Sequence, residues 1–389
     1  SFDGTTLGQH ATVSDPVSGN QTWEKVVSKN LGLDLNMFRN RLSLTADFYI
    51  RDTKGILGKG KSLPSIYGAD EPQVNSNNLR TKGYELVLGW RDSFELAGSA
   101  FSYGITGSFS DYTAKYTKCD NPSGLIGDPY VGKKYGEIWG YKVDGLFRTD
   151  EEAAEYASRI DLSTVAAGYY SATGAYGKGV RAGDIKYLDL NGDNIVNGGK
   201  GTLEDPGDRR VIGNSSPRYQ YGATLNFSWY GFDVSVFMQG IGRLDWYPGA
   251  DNLRFWGPYC RPYATFVPKN FMSQVWSEEN PDAYFPRARA YTSLNSTQGT
   301  AYYTNDRYLQ NLAYCRLKNL TIGYTIPRRL TSKVGIKECR IYFSGENLAT
   351  WSALESDFLD PEQAAADSDK KSNVYPWCKT YSVGLNLTF

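Results

Sequence analysis

The 389 residues hold 42 Lys and Arg against 42 Asp and Glu with one histidine, His10, and the net charge is zero. That balance excludes the basic footprint of a nucleic-acid binder, and one imidazole excludes a multi-histidine metal or catalytic centre. Aromatics reach 14% while mean hydropathy is −0.48, and no run of about 18 apolar residues offers a transmembrane helix.

Counting with a period of two gives nine amphipathic strand candidates. The first, Trp23 to Met37, sets Leu31, Leu33, Leu35 and Met37 against Asn30, Gly32, Asp34 and Asn36. The second, Arg41 to Leu57, sets Leu42, Leu44, Ala46, Phe48 and Ile50 against Ser43, Thr45, Asp47, Tyr49 and Arg51. The third, Leu79 to Trp90, carries Tyr84, Leu86, Leu88 and Trp90 on one face. The fourth, Phe101 to Tyr116, carries Phe101, Tyr103, Ile105 and Phe109. The fifth alternates without a break: Tyr219, Tyr221, Ala223, Leu225, Phe227 and Trp229 against Gln220, Gly222, Thr224, Asn226 and Ser228. The sixth runs Phe232 to Gly240, the seventh Leu312 to Ile326, and the eighth Arg340 to Trp351. The ninth closes the chain, with Tyr381, Val383, Leu385, Leu387 and Phe389 apolar and Ser382, Gly384, Asn386 and Thr388 small or polar.

The connections alternate between short and long. Short links stand at Phe38–Asn40, Arg91–Gly98, Tyr230–Gly231 and Pro327–Cys339. Long ones stand at Gly58–Asn78, Thr117–Arg218, Ile241–Asn311 and Ser352–Cys378. Short periplasmic turns and long extracellular loops are the pattern of a transmembrane β-barrel, where only alternate residues need be apolar. A soluble aromatic-rich β protein that binds sugars is the competing reading, but loops this long without structure argue against it. The expected fold class is therefore all-β: about nine antiparallel strands forming the C-terminal part of a large transmembrane barrel. Nine is odd where bacterial barrels close on even counts. No signal-peptide pattern follows Ser1, so residues 1–389 are read as one barrel domain whose N-terminal portion is missing. The five cysteines lack metal-ligand spacing, and mostly free thiols are expected.

Several segments, in order, resemble the SusC/RagA family of TonB-linked outer-membrane transporters. They are Trp23–Glu24 with Asn30–Asp34; Ile138–Phe147; Gly183–Asp193; Asp208–Asn214; Arg316–Tyr324; Ser344–Leu348; and the closing strand. The resemblance spans nearly the whole chain. It implies a barrel of about 22 strands around an N-terminal plug in the outer membrane of a Gram-negative bacterium. It also implies energised import through TonB and a SusD-like lipoprotein lid over the mouth. The plug and TonB box are not among these residues.

Two loop segments carry candidate chemistry. Asp189, Asn191, Asp193, Ile195 through its carbonyl, and Asn197 follow the alternate-ligand pattern of a calcium loop. Position twelve of that pattern is Lys200 rather than Glu, and in the resemblance Asp208 supplies a further carboxylate. A run of Asx turns without metal explains the same residues, so Ca2+ and turn readings both stand. Leu244 to Phe266 crowds aromatics among polar groups, and Trp246, Asp251, Asn252, Arg254, Trp256, Tyr259 and Arg261 are its candidate ligand-binding residues. Packing against other loops or a lid competes with that reading. Phe147 to Tyr156 reads as a short helix capped by Thr149 or Asp150.

No nucleophile elbow, Cys/His pair or zinc spacing supports catalysis, so no enzyme is expected. The leading function is active import of a bulky nutrient, an oligosaccharide ahead of a peptide. A non-transporting receptor or adhesin and a passive porin are the rivals. A plug and TonB box upstream favour import, whereas strands starting directly after a signal peptide favour a porin.

Overall fold

The computed structural model describes residues 18–19, 21–59, 72–170, 179–260, 267–289, 292–294, 299–365 and 377–389. Nine strands form one antiparallel sheet: β1 (Lys25–Met37), β2 (Leu42–Lys59), β3 (Gln73–Leu96), β4 (Ser99–Lys118), β5 (Arg218–Trp229), β6 (Phe232–Arg243), β7 (Tyr314–Thr325), β8 (Glu338–Ser352) and β9 (Thr380–Thr388). Each pairs with its neighbours in sequence order, and β1 and β9 each have one partner among the described residues.

The register joins apolar residue to apolar residue across the sheet. Leu31 faces Phe48, which faces Tyr84. Ile105 faces Leu225, which faces Val236. Val234 faces Ile322, which faces Phe343, which faces Val383. A one-residue slip would turn every such row to the opposite face. The apolar face is open: Leu31 is 70% exposed, Leu385 57% and Val383 79%. Loop residues 358–362 instead fold onto the polar face, which is therefore the lumen side.

Several strands outrun the amphipathic stretch that announces them, while β1 and β7 stop short of theirs. The third was expected over Leu79 to Trp90 and runs Gln73–Leu96, because a strand keeps its hydrogen bonds above and below the lipid-facing band. The link expected over Arg91 to Gly98 is consequently a two-residue turn, Ala97 (φ 51°) and Gly98 (φ 77°). Tyr230 (φ 48°) and Gly231 (φ 81°) turn the next hairpin the same way, both residues left-handed as a type I′ turn requires. The Tyr230 hydroxyl donates to the Ala97 carbonyl, tying adjacent turns together.

The long loops are not structureless, contrary to expectation. Residues 119–170 and 179–217 pack against 244–260, 267–289 and 299–313 around a shared interior containing Phe147, Tyr187, Phe255, Phe285 and Tyr308, each fully buried. The buried apolar core of this chain lies in that dome of loops, while the sheet keeps its apolar face open.

Candidate functional site: the loop dome and its attachment to the lumen wall

The dome is founded on the sequence segments that carry the family resemblance, and they pair with one another. Residues Glu137–Gly140 form a ladder with Arg210–Asn214, placing Trp139 beside Val211. Residues Val143–Leu146 pair with Ile185–Tyr187. The helix α1 (Asp150–Arg159) follows: Thr149 Oγ1 accepts from the Glu152 amide at 3.1 Å, and the Glu152 carboxylate accepts from the Arg148 amide at 2.7 Å. The Thr149 cap, with Glu152 reaching back to the residue before it, selects Thr149 of the two expected caps and fixes where the helix begins.

The interior of the dome is aromatic, and many of its polar groups are paired, although Asn252 Nδ2, Trp276 Nε1 and Gln310 Oε1 are buried without a partner. The Asn305 amide donates to the Tyr247 hydroxyl at 3.1 Å and to the Tyr303 carbonyl at 2.8 Å. Burial pushes the Tyr187 and Tyr247 hydroxyls upward, so both remain protonated donors. Arg289 grips Asp184 through two hydrogen bonds of 2.9 and 2.6 Å, and its guanidinium lies 4.2 Å from the Tyr169 ring centroid. Desolvation lifts the Asp184 carboxyl to about 6 against the pull of that arginine.

A second buried ionic cluster ties the dome's edge to the lumen wall. On β7 the bulge between Leu317 and Asn319 lets both Arg316 and Lys318 reach the polar face. Arg316, 2% exposed, donates to Glu362 at 2.6 Å, to Thr350 at 2.8 Å and to Asp360. Lys318 reaches both Glu362 oxygens at 2.7 Å. From the same segment Phe358 packs on Phe271 of the dome, ring centroids 5.7 Å apart. Residues 358–362 thus clasp loop to wall. Arg316 and Lys318 stand in a resembling segment, but nothing local in the sequence links them to acids 44 residues downstream.

The expected ligand residues separate by burial. Trp256 is 0% exposed, its indole N–H donating to the Gly249 carbonyl at 3.1 Å. Tyr259 is 1% exposed and donates to the Pro286 carbonyl. Asn252 is 1% exposed and caps residues Leu253–Trp256 by accepting from the Phe255 amide, while Trp246 is buried in a short ladder with Gln310. In this structure these four side chains are buried as packing and capping elements of the dome. Asp251 and Arg254 stand exposed on the dome surface. Arg261 lies outside the described residues.

The expected calcium loop is a chain of Asx turns. Asp189 accepts from the Gly192 and Asn194 amides at 2.7 and 2.9 Å. Asn191 Oδ1 accepts from the Asp193 amide, Asp193 from the Ile195 amide, and Asn197 from the Gly199 amide. Asp208, fully buried, accepts from the Leu190 and Asn197 amides at 2.7 and 2.8 Å. These oxygens accept from backbone N–H groups. Among the described residues no three Asp, Glu, His or Cys side chains converge to hold a metal. Asx turns engage the side-chain oxygens of Asp189, Asn191, Asp193 and Asn197.

Comparison with known proteins follows the same line. No family model matches the chain. "TonB-dependent receptor P3" of Formosa agariphila is 25% identical over 97% of this chain and 35% of its own length. "TonB-dependent receptor SusC" of Bacteroides thetaiotaomicron is 21% identical over 95% of this chain and 32% of its own. Over nearly its whole length the chain is similar to SusC-type TonB-dependent receptors. Among solved structures, the RagAB peptide transporter superimposes with a TM-score of 0.63 at 20% identity, over 97% of this chain and 37% of that one. That likeness shows the fold: part of a RagA-like barrel. The chain spans about a third of the length of the relatives it matches. Their names speak of receptors and transporters.

Proposed function

We propose that this chain is the C-terminal barrel portion of a TonB-dependent importer in the outer membrane of a Gram-negative bacterium. It works with a SusD-like surface lipoprotein to bring in a bulky polar nutrient. The observation that carries this reading is the division of labour between faces. The nine-stranded sheet exposes a continuous apolar face and holds folded loop on its polar face, as a lipid-embedded wall around an occupied lumen must. The relatives named TonB-dependent receptors support it. Exposed acid and guanidinium groups on the dome, Asp251 and Arg254, suit hydroxyl-rich glycans and peptide termini alike. The likeness to the RagAB peptide transporter favours a peptide as the second reading.

The test is uptake by the full-length receptor and its lipoprotein in a host lacking both. Labelled oligosaccharides and peptides are supplied with and without a collapsed proton gradient. Energy-dependent accumulation of one class supports the proposal and selects the cargo. Uptake that ignores the gradient makes the barrel a passive porin, and surface binding without uptake makes it a receptor.

A further inference from the structure

On β1–β4 the outward rows change character abruptly toward the long-loop end. Leu33–Ala46–Leu86–Phe109 is apolar, and Leu31–Phe48–Tyr84 is apolar up to its β4 member Asp111, whose charge is met by Arg218 at 2.6 Å. The next row is Lys29–Ile50–Lys82–Thr113, then Val27–Asp52–Arg80–Lys115, then Lys25 beside Lys54. Asp52 engages Arg80 at 2.7 Å. Lys25, Lys29, Lys54, Lys82 and Lys115 are exposed, and none forms an ion pair among the described residues. Below them an aromatic belt runs across the strands. Ring centroids lie 6.4 Å apart for Phe48 and Tyr84, 6.0 Å for Tyr84 and Phe109, and 6.4 Å for Phe109 and Tyr219. Between the belt and the first lysine row lies a groove of about 570 Å³. Arg218 at the start of β5 also reaches this groove, where it is held by Asp111 at 2.6 Å. Beyond it the outward sets of β5–β9 carry no lysine or arginine within the strands, so the unpaired lysine rows are a local feature of one sector.

We propose that this sector is a binding surface for the phosphate groups of an anionic lipid in the outward-facing leaflet. The assignment rests on the barrel orientation proposed above. Aromatic girdles mark the level where hydrocarbon meets headgroup, and here unpaired ammonium groups begin one row beyond it, at phosphate depth. Lys29 and Lys82 stand two strands apart, about 10 Å, with Ile50 between them as an apolar floor. Acyl chains lie along the Leu31–Phe48–Tyr84 row while phosphates meet the lysines above. Lysine ammonium groups suit this role as mobile point charges on stems that cover apolar surface. The sector therefore holds a bound lipid against one side of the importer.

The test uses the full-length receptor purified in a neutral detergent and fluorescent lipid A carrying both phosphates, with the dephosphorylated lipid as the second probe. Lysines near an anionic surface contribute roughly fivefold each in affinity. K29A/K82A/K115A should therefore weaken binding of the phosphorylated lipid by roughly a hundredfold and leave the dephosphorylated lipid unaffected. Removing two exposed dome lysines as a control, K200A/K269A, should change neither. Heat-modifiable migration on gels confirms that each variant is a folded barrel, so a lost barrel is distinguished from a lost lipid site. A folded triple variant that binds phosphorylated lipid within twofold of the parent overturns the proposal. So does one that keeps the lipid but loses its lipoprotein, which makes the sector a protein interface.

Discussion

Asp208 holds the turn-rich segment 189–199 from a fully buried position, one carboxylate serving the amides of Leu190 and Asn197. Each buried amide left without an acceptor costs about 1–3 kcal/mol. Asp208→Ala should therefore raise hydrogen exchange across 189–199 strongly, and Asp208→Asn, which keeps one carbonyl oxygen, should raise it less. Calcium or a chelator should leave exchange in the parent unchanged. Calcium-dependent protection that disappears in Asp189→Ala would restore a metal role to the loop. Trp256 makes the contrasting case. Its replacement by alanine opens a cavity in the dome and should cost about 3–5 kcal/mol, read by limited proteolysis as a loosened dome. Arg254→Ala, on the surface, should leave proteolysis unchanged and alter only cargo capture. A Trp256→Ala protein with a protease-resistant dome and selectively weakened capture would return that tryptophan to the ligand path.

At the scale of elements, the clasp and the sheet make separate predictions. Arg316→Met leaves Asp360 and Glu362 facing the wall with Lys318 as their one remaining cation. Breaking one side of a buried pair typically costs about 3–5 kcal/mol, and residues 355–365 should become the first protease site in the intact receptor. Unchanged cleavage there would show that Phe358 packing alone retains the segment. On the outward face, Leu225→Arg or Leu385→Arg should destabilise by about 2–4 kcal/mol near the midplane, whereas Asn226→Asp and Asn386→Asp on the lumen face should be tolerated. Thermal melting in lipid vesicles reads both. The strands were legible in the sequence because period-two alternation acts on each residue locally. Ala46, Leu86 and Phe109 share a row that any one strand already announces. The dome was not legible. Tyr187 with Asn305, or Arg316 with Glu362, are contacts across 118 and 46 residues, and no local pattern encodes them. The aromatic run around Trp256 was visible, but whether such rings line a pocket or fill a core depends on what packs opposite, here Phe285 and Tyr308.

For the molecule as a whole, β1 and β9 each offer one unpaired edge among the described residues, and exposed strand edges are not tolerated in hydrocarbon. Residues 1–389 expressed alone should therefore fail to give a heat-resistant barrel, and the same strands should assemble within a full-length receptor. The most direct test of the whole account is a nitroxide scan of positions 381–388 in that receptor, native cysteines replaced and the protein reconstituted in lipid bilayers. Labels at Tyr381, Val383, Leu385 and Leu387 should be accessible to oxygen and shielded from a water-soluble nickel complex, and labels at Ser382, Gly384, Asn386 and Thr388 should be the reverse. Equal accessibility at both sets, or oxygen accessibility at the polar set, would contradict a lipid-facing apolar surface and the importer built upon it.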